Sequence, residues 1–148
     1  MLPFDQPIVA TNPVRHQHAV TVLVNQQRAR RGLPPVRPSP LLRLSARRWA
    51  LMVTRLSRFE HGNLDRRARA FPFVVRGRPG KWSVGENLAW GRQRYSTPRR
   101  IVQAWMRSPP HRATLLGAWR YTGVISMRDA PLPGRQTSAV TVVQHFGR

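Results

Sequence analysis

The chain has 148 residues and no cysteine, and 41% of its residues are hydrophobic, with five Trp and five Phe among them. This is enough for one domain with its own core, and it excludes a disordered chain, a disulfide scaffold, thiolate metal ligands and a thiol nucleophile. Lys and Arg total 26 against five acids, a formal charge of +21, and Lys81 is the single lysine.

Such a field favours anionic partners: nucleic acid, phosphodiester or other envelope polymers, or anionic lipid. The arginines are nonetheless spread along the whole chain, with no nucleic-acid-binding motif or aromatic stacking platform beside them. That distribution fits a solvated surface better than a nucleic-acid interface. No apolar run is long enough to cross a bilayer. Met1-Leu2-Pro3-Phe4-Asp5 has neither a basic stretch nor an apolar h-region, so no signal peptide is visible there.

Residues 1–11 read as an extended tail. Asn12-Pro13 supplies a helix cap and a first-turn proline. Val20, Leu23, Val24 and Gln27 then form a helical stripe, with Arg28, Arg30 and Arg31 placed where the helix dipole favours cations and Gly32 placed to close the helix. Leu33 to Pro38 is a proline-rich connector. Ser39-Pro40 repeats the cap signal for a second helix, which is expected to bury Leu41, Ser45, Trp49, Met52, Leu56 and Phe59 and to end at His61-Gly62.

Asn63 to Lys81 reads as a long basic loop anchored by Phe71 and Phe73. Ser83 to Trp90 forms a strand with Val84, Glu86, Leu88 and Trp90 on one face. Thr97-Pro98 opens a third helix carrying Ile101, Val102 and Trp105, and Ser108 caps a short helix from Pro109 to Leu116. Tyr121 to Arg128 and Ser138 to Phe146 alternate as a pair of antiparallel strands. The result is a single α+β domain over residues 12–148, a small antiparallel sheet flanked by helices and expected to be monomeric.

Chemistry concentrates in three places: Phe59-Glu60-His61-Gly62, Val84-Gly85-Glu86-Asn87-Leu88-Ala89, and Trp105-Met106-Arg107-Ser108-Pro109-Pro110-His111-Arg112. Glu86 shares a strand face with Val84 and Leu88, so its carboxylate approaches an apolar layer and needs a cationic, hydrogen-bonding or metal partner. His111 lies in the first turn of a helix, where the dipole and nearby arginines disfavour its cationic form and leave an imidazole suited to ligation. Taken singly, each has a plain structural reading: His61 as a helix-end residue bonding a free carbonyl, Glu86 as an acceptor for backbone or Arg groups.

In their order and spacing, these motifs and the helices between them resemble bacterial members of the CAP superfamily (cysteine-rich secretory, antigen 5 and pathogenesis-related 1 proteins, also called SCP domains) from about Val20 to Gly147. The resemblance implies an α-β-α sandwich and an exported, extracellular or cell-envelope protein. It also implies that His61, Glu86 and His111 converge in one open cleft able to hold zinc or another divalent metal. Asn87, Ser108, Trp105 and Arg112 match supporting positions around that cleft. The implied function is a binding module for a lipid, sterol-like or envelope ligand. The alternative is a metal-dependent hydrolase of peptidase type with Glu86 as its catalytic residue, and a second alternative is an Arg-rich binder of nucleic acid or other polyanions. Two departures stand out. Ser108 occupies the place where eukaryotic relatives carry a second glutamate, and His145 stands where bacterial relatives have an acid in Gln-Asp-Phe-Gly.

Overall fold

The computed structural model describes residues 1–69 and 83–148. Helix α1 spans Pro13–Ala29, and the Asn12 side chain accepts the Arg15 N–H at 2.8 Å. Helix α2 spans Pro40–Arg55, capped by the Ser39 hydroxyl, and α4 spans Pro98–Arg107, capped by the Thr97 hydroxyl. Each begins with proline at its first position, where the missing N–H costs nothing. Helix α5, Pro109–Leu115, follows α4 directly; Ser108 takes the cap position without a side-chain capping bond.

Strands β2 (Val84–Arg92) and β3 (Tyr121–Met127) both pair antiparallel with β4 (Ala139–Gly147), which is therefore central. A short strand β1, Arg37–Pro38, pairs parallel with β3 and makes the order β1-β3-β4-β2. The sheet is thus mixed, not purely antiparallel, because the proline-rich connector contributes a strand. The Arg37 N–H bonds Arg120 O and the Ser39 N–H bonds Thr122 O, while Pro38, which lacks a donor, sits between them.

Helices cover both faces. Against α1 and α4 packs a cluster with Val20, Leu23, Val24, Ile101, Val102, Trp105, Val124, Val142 and Phe146. Against α2 packs a smaller layer of Ala46, Ala50, Leu88, Ile125 and Val143. The buried face of α2 is therefore not the large apolar stripe expected from the sequence. Leu41, Met52, Leu56 and Phe59 are 40–54% exposed, and α2 ends at Arg55, short of His61. The buried residues are Leu42, Ser45, Ala46, Ala50, Val53 and Thr54, most of them small because α2 lies almost on the backbone of β3. A methyl added at Gly123 would sit 2.1 Å from Arg43 N and 2.2 Å from Leu42 C.

Three further expectations change. Arg28 is not a solvated dipole partner: it is 1% exposed and donates to Pro34 O, Leu115 O, Gly117 O and Trp119 O, tying α1 to the loop after α5. The first eleven residues are not simply extended, because Ile8–Ala10 forms a 3-10 turn and Ile8 enters the core. The stretch read as a loop after His61 contains helix α3, Leu64–Arg69; its aromatic anchors, Phe71 and Phe73, lie outside the described residues.

His16 of α1 is fully buried, with Nε2 on Ser96 O at 2.7 Å and Nδ1 on the Ser126 hydroxyl at 2.8 Å. Burial pushes its pKa down to about 4, so Nε2–H donates to the carbonyl and Ser126 donates to Nδ1.

The close contact of α2 with β3 generates a stability prediction. Gly123→Ala forces α2 off the sheet and is expected to cost about 3 kcal/mol in urea unfolding. A loss below about 1 kcal/mol would mean that the α2–β3 contact yields easily.

Candidate functional site

The site forms at the β2 edge of the sheet, where the two faces meet. Glu86 opposes His145 of β4 in the register, and both point to the α2 face beside the Leu88 layer. The Glu86 side chain is 1% exposed and both its oxygens are taken. His145 Nε2 lies 2.6 Å from Oε2, His61 Nδ1 lies 2.8 Å from Oε1, and Arg67 Nη2 reaches both oxygens at 2.9 and 2.8 Å. The donors come from three separate segments: the stretch after α2, helix α3 and the central strand.

Trp49 of α2 shapes the approach. Its indole N–H donates to Glu60 O, and the Arg67 guanidinium stacks 3.7 Å from the ring centroid. Gly62 turns the chain with φ of 58°, and a Cβ there would fall 2.9 Å from the Trp49 ring. Arg67 also donates to the His61 carbonyl. The indole, the turn glycine and the guanidinium together place His61 Nδ1 on the carboxylate.

The electrostatics follow from this packing. Burial alone would raise the Glu86 pKa, but hydrogen bonds from His145 and His61, with the charge of Arg67, lower it to about 2. His61 is held above its ordinary value by its bond to Glu86. Burial lowers His145 and outweighs the pull of Glu86, so the ring is neutral: Nε2–H donates to the carboxylate, and Nδ1 accepts from the Ser45 hydroxyl at 3.0 Å. His111 is also lowered, in the expected direction, by burial and by the charge of the neighbouring His61.

His111 reaches around the β2 edge from α5, and its ring centroid lies 6.5 Å from that of His61. Asn87 fixes its backbone, donating to His111 O at 3.0 Å, and the Trp105 indole donates to Leu88 O at 3.0 Å. Ser108 is half-buried and Arg112 exposed, and neither side chain makes a hydrogen bond among the described residues. Asn87 and Trp105 thus support the cleft by direct bonds, whereas Ser108 and Arg112 do not.

For a metal, the donors divide. For Glu86 to serve as a third ligand a cation would have to displace Arg67, which holds both carboxylate oxygens. Among the described residues no group of three or more His, Cys, Asp or Glu could hold a metal ion. The two imidazoles fit better. His61 commits Nδ1 to Glu86 and keeps Nε2 for ligation, the carboxylate–histidine pairing that raises ligand basicity. Two imidazoles on one tetrahedral zinc have centroids about 5 Å apart. The observed 6.5 Å calls for a closure of about 1 to 2 Å, the remaining positions falling to water or ligand.

The sequence model of the cysteine-rich secretory protein family, CAP, matches residues 22–146. The chain belongs to that family. Its fold is that of bacterial members: an outer surface protein of Borrelia burgdorferi aligns at 17% identity with a TM-score of 0.70, covering 88% of this chain and 90% of that one. A cysteine-rich secretory protein of Staphylococcus aureus aligns at 17% identity with a TM-score of 0.66, covering 91% of this chain and 38% of its own. An extracellular SCP-domain protein of Bacillus anthracis aligns at 22% identity with a TM-score of 0.68, covering 92% and 41%. The chain therefore spans well under half the length of the last two. No curated protein sequence matches it. No helix among the described residues is long and apolar enough to cross a membrane.

Within this CAP domain, sequence reasoning missed Arg67, His145 and Ser45 as site residues. His145 had a signal: it replaces an acid in the family's closing motif and alternates into register with Glu86. Arg67 had none, since it is one arginine among many.

Glu86 makes stability depend on pH. Its folded pKa of about 2 lies below the ordinary 4.5, so the unfolded chain binds the proton more readily between those values. Stability is then lost as pH falls through that window, and the gap corresponds to about 3 kcal/mol. His16 adds a loss at higher pH, from 6.5 down to about 4, because its neutral form is the folded one. Glu86→Gln is expected to cost about 3 kcal/mol at pH 7. Urea unfolding from pH 7 to pH 3 should show wild type converging on the variant below about pH 4.5; parallel curves would deny the carboxylate this role.

Proposed function

We propose that the chain is an extracellular or cell-envelope binding module, whose cleft between His61 and His111 takes a divalent cation together with an anionic envelope or lipid ligand. The observation that carries this reading is the saturation of Glu86. A general base needs a free lone pair and a pKa near the working pH. Glu86 has both oxygens engaged and a pKa of about 2, so it is too weak a base to activate water. Hydrolysis would have to find its base elsewhere, and Ser108 offers no carboxylate. The role left to Glu86 is to orient His61.

The anionic preference rests on charge. Arg67, at the cleft, keeps its buried Nε and Nη1 without hydrogen-bond partners among the described residues, and the chain as a whole carries +21. The extracellular placement rests on the similar structures, described as an outer surface, a secretory and an extracellular protein. A cation held by two imidazoles competes with protons, and His61 is the more readily protonated ring.

Calorimetric titration with zinc chloride at pH 7.5 is therefore expected to give a heat that weakens as pH falls, starting above 6.5 because His61 is held above that ordinary value, and that disappears in both His61→Ala and His111→Ala. Equal heats in wild type and the double variant would remove the metal from this proposal and leave the anionic ligand alone.

A further inference from the structure

The opposite edge of the sheet is open. Strand β1 pairs only Tyr121 and Thr122 of β3, and after Ser39 the chain leaves for α2. The register sets Gly123, Ile125 and Met127 against His145, Val143 and Thr141 of β4. Thr122 O meanwhile accepts from Ser39 on the outer side. Backbone groups of successive residues in a strand point to opposite edges, so Val124 and Ser126 direct their N–H and C=O groups outward, beyond the end of β1. No backbone or side-chain group among the described residues bonds them there.

This unpaired ladder, narrowly accessible with Val124 and Ser126 each 4% exposed, forms the floor of a groove. One wall is α1, through Val14 and Gln17, and the other is α2, through Pro40, Leu41, Leu44, Arg43 and Arg47. Two cavities of about 450 Å³ and about 600 Å³ share Val14, Gln17, Pro40 and Arg43 and run on into each other along β3 from Thr122 to Met127. The walls present apolar groups to solvent: Val14, Leu41 and Leu44 are 64%, 40% and 45% exposed. Gln17 is 9% exposed, and its carboxamide makes no hydrogen bond among the described residues. The groove lies at the far edge from Glu86 and does not depend on the metal or anion reading of that cleft.

A long edge with unpaired main-chain groups and apolar flanks is the template on which another strand adds. We propose that the groove takes an extended, acidic peptide segment of a partner protein, which adds to β3 as a further strand in line with β1. A peptide main chain supplies donors and acceptors at the two-residue spacing of Val124 and Ser126, which an acyl chain cannot do. Five residues, Gly123 to Met127, span roughly 17 Å of edge. Alternate side chains of the segment would meet Val14 on one wall and Leu41 and Leu44 on the other. Arg43 and Arg47, on the exposed side of α2, set the preference for acidic residues at the remaining positions.

The test is selection of seven-residue peptides from a random displayed library on the whole chain. Expected are proline-free sequences alternating apolar and acidic residues, with affinity falling at least tenfold when alternate amides of a selected peptide are N-methylated. The amides of Val124 and Ser126 should then exchange with solvent at least tenfold more slowly. Val14→Glu and Leu44→Glu, both at exposed positions and checked for native circular dichroism, should each weaken binding about tenfold. The proposal is overturned if no peptide is enriched, if binding survives N-methylation, or if the two variants abolish uptake of fluorescent dodecanoic acid while leaving peptide binding unchanged. That last result would make the groove an acyl-chain site.

Discussion

The buried carboxylate of Glu86 is the constraint around which the functional half of the molecule is arranged. A lone carboxylate in the layer of Leu88, Ile125 and Val143 would be expelled or protonated. It stays ionised because His145, His61 and Arg67 supply its hydrogen bonds from three different parts of the chain. The stretch after α2 ends with a glycine turn packed on Trp49, whose indole also bonds Glu60 O, and the carboxylate adds the bond that fixes the His61 ring. Assembling this cluster therefore positions His61, and with it the cleft mouth.

Arg28 does the equivalent work on the other face. Its guanidinium collects the carbonyls that end α5 and the loop behind it, those of Leu115, Gly117 and Trp119. That holds α5, and so His111, against the sheet, while Asn87 fixes the His111 backbone from β2. Two buried cationic or carboxylate centres, one on each side of the sheet, thus set the separation of the two imidazoles. Charge in this very basic chain serves the interior as well as the surface.

Legibility from sequence followed the range of the interactions. Helix starts were readable because caps are local: Asn12-Pro13, Ser39-Pro40 and Thr97-Pro98 each open a helix. The three long strands were readable from alternation. Strand β1 was not, because two residues of a proline-rich connector gain strand character only from Arg120 and Thr122. The buried face of α2 was misread because hydrophobicity favours Met52 and Leu56. The face was in fact decided by how closely Gly123 lets the helix approach, a long-range fact. In the site, the motifs pointed to His61, Glu86 and His111. Arg67 and His145 complete the cluster through pairings that no local pattern encodes.

The family resemblance leads one to expect an acid where His145 stands, and the imidazole makes a different kind of site. A carboxylate at that position would face Glu86 across the β2–β4 register, and like charges so close would force one of them to hold a proton. Such a pair could share or transfer that proton. A neutral imidazole that donates through Nε2 and accepts from Ser45 does the opposite, fixing a single protonation state. The sheet accordingly has two contrasting edges. At β2 the Glu86 carboxylate is saturated and holds His61 beside His111, which suits taking a small ion between the two rings. At β3 the outward main-chain groups of Val124 and Ser126 have no partner among the described residues and the flanking Val14, Leu41 and Leu44 are exposed, which suits an extended chain supplied from outside.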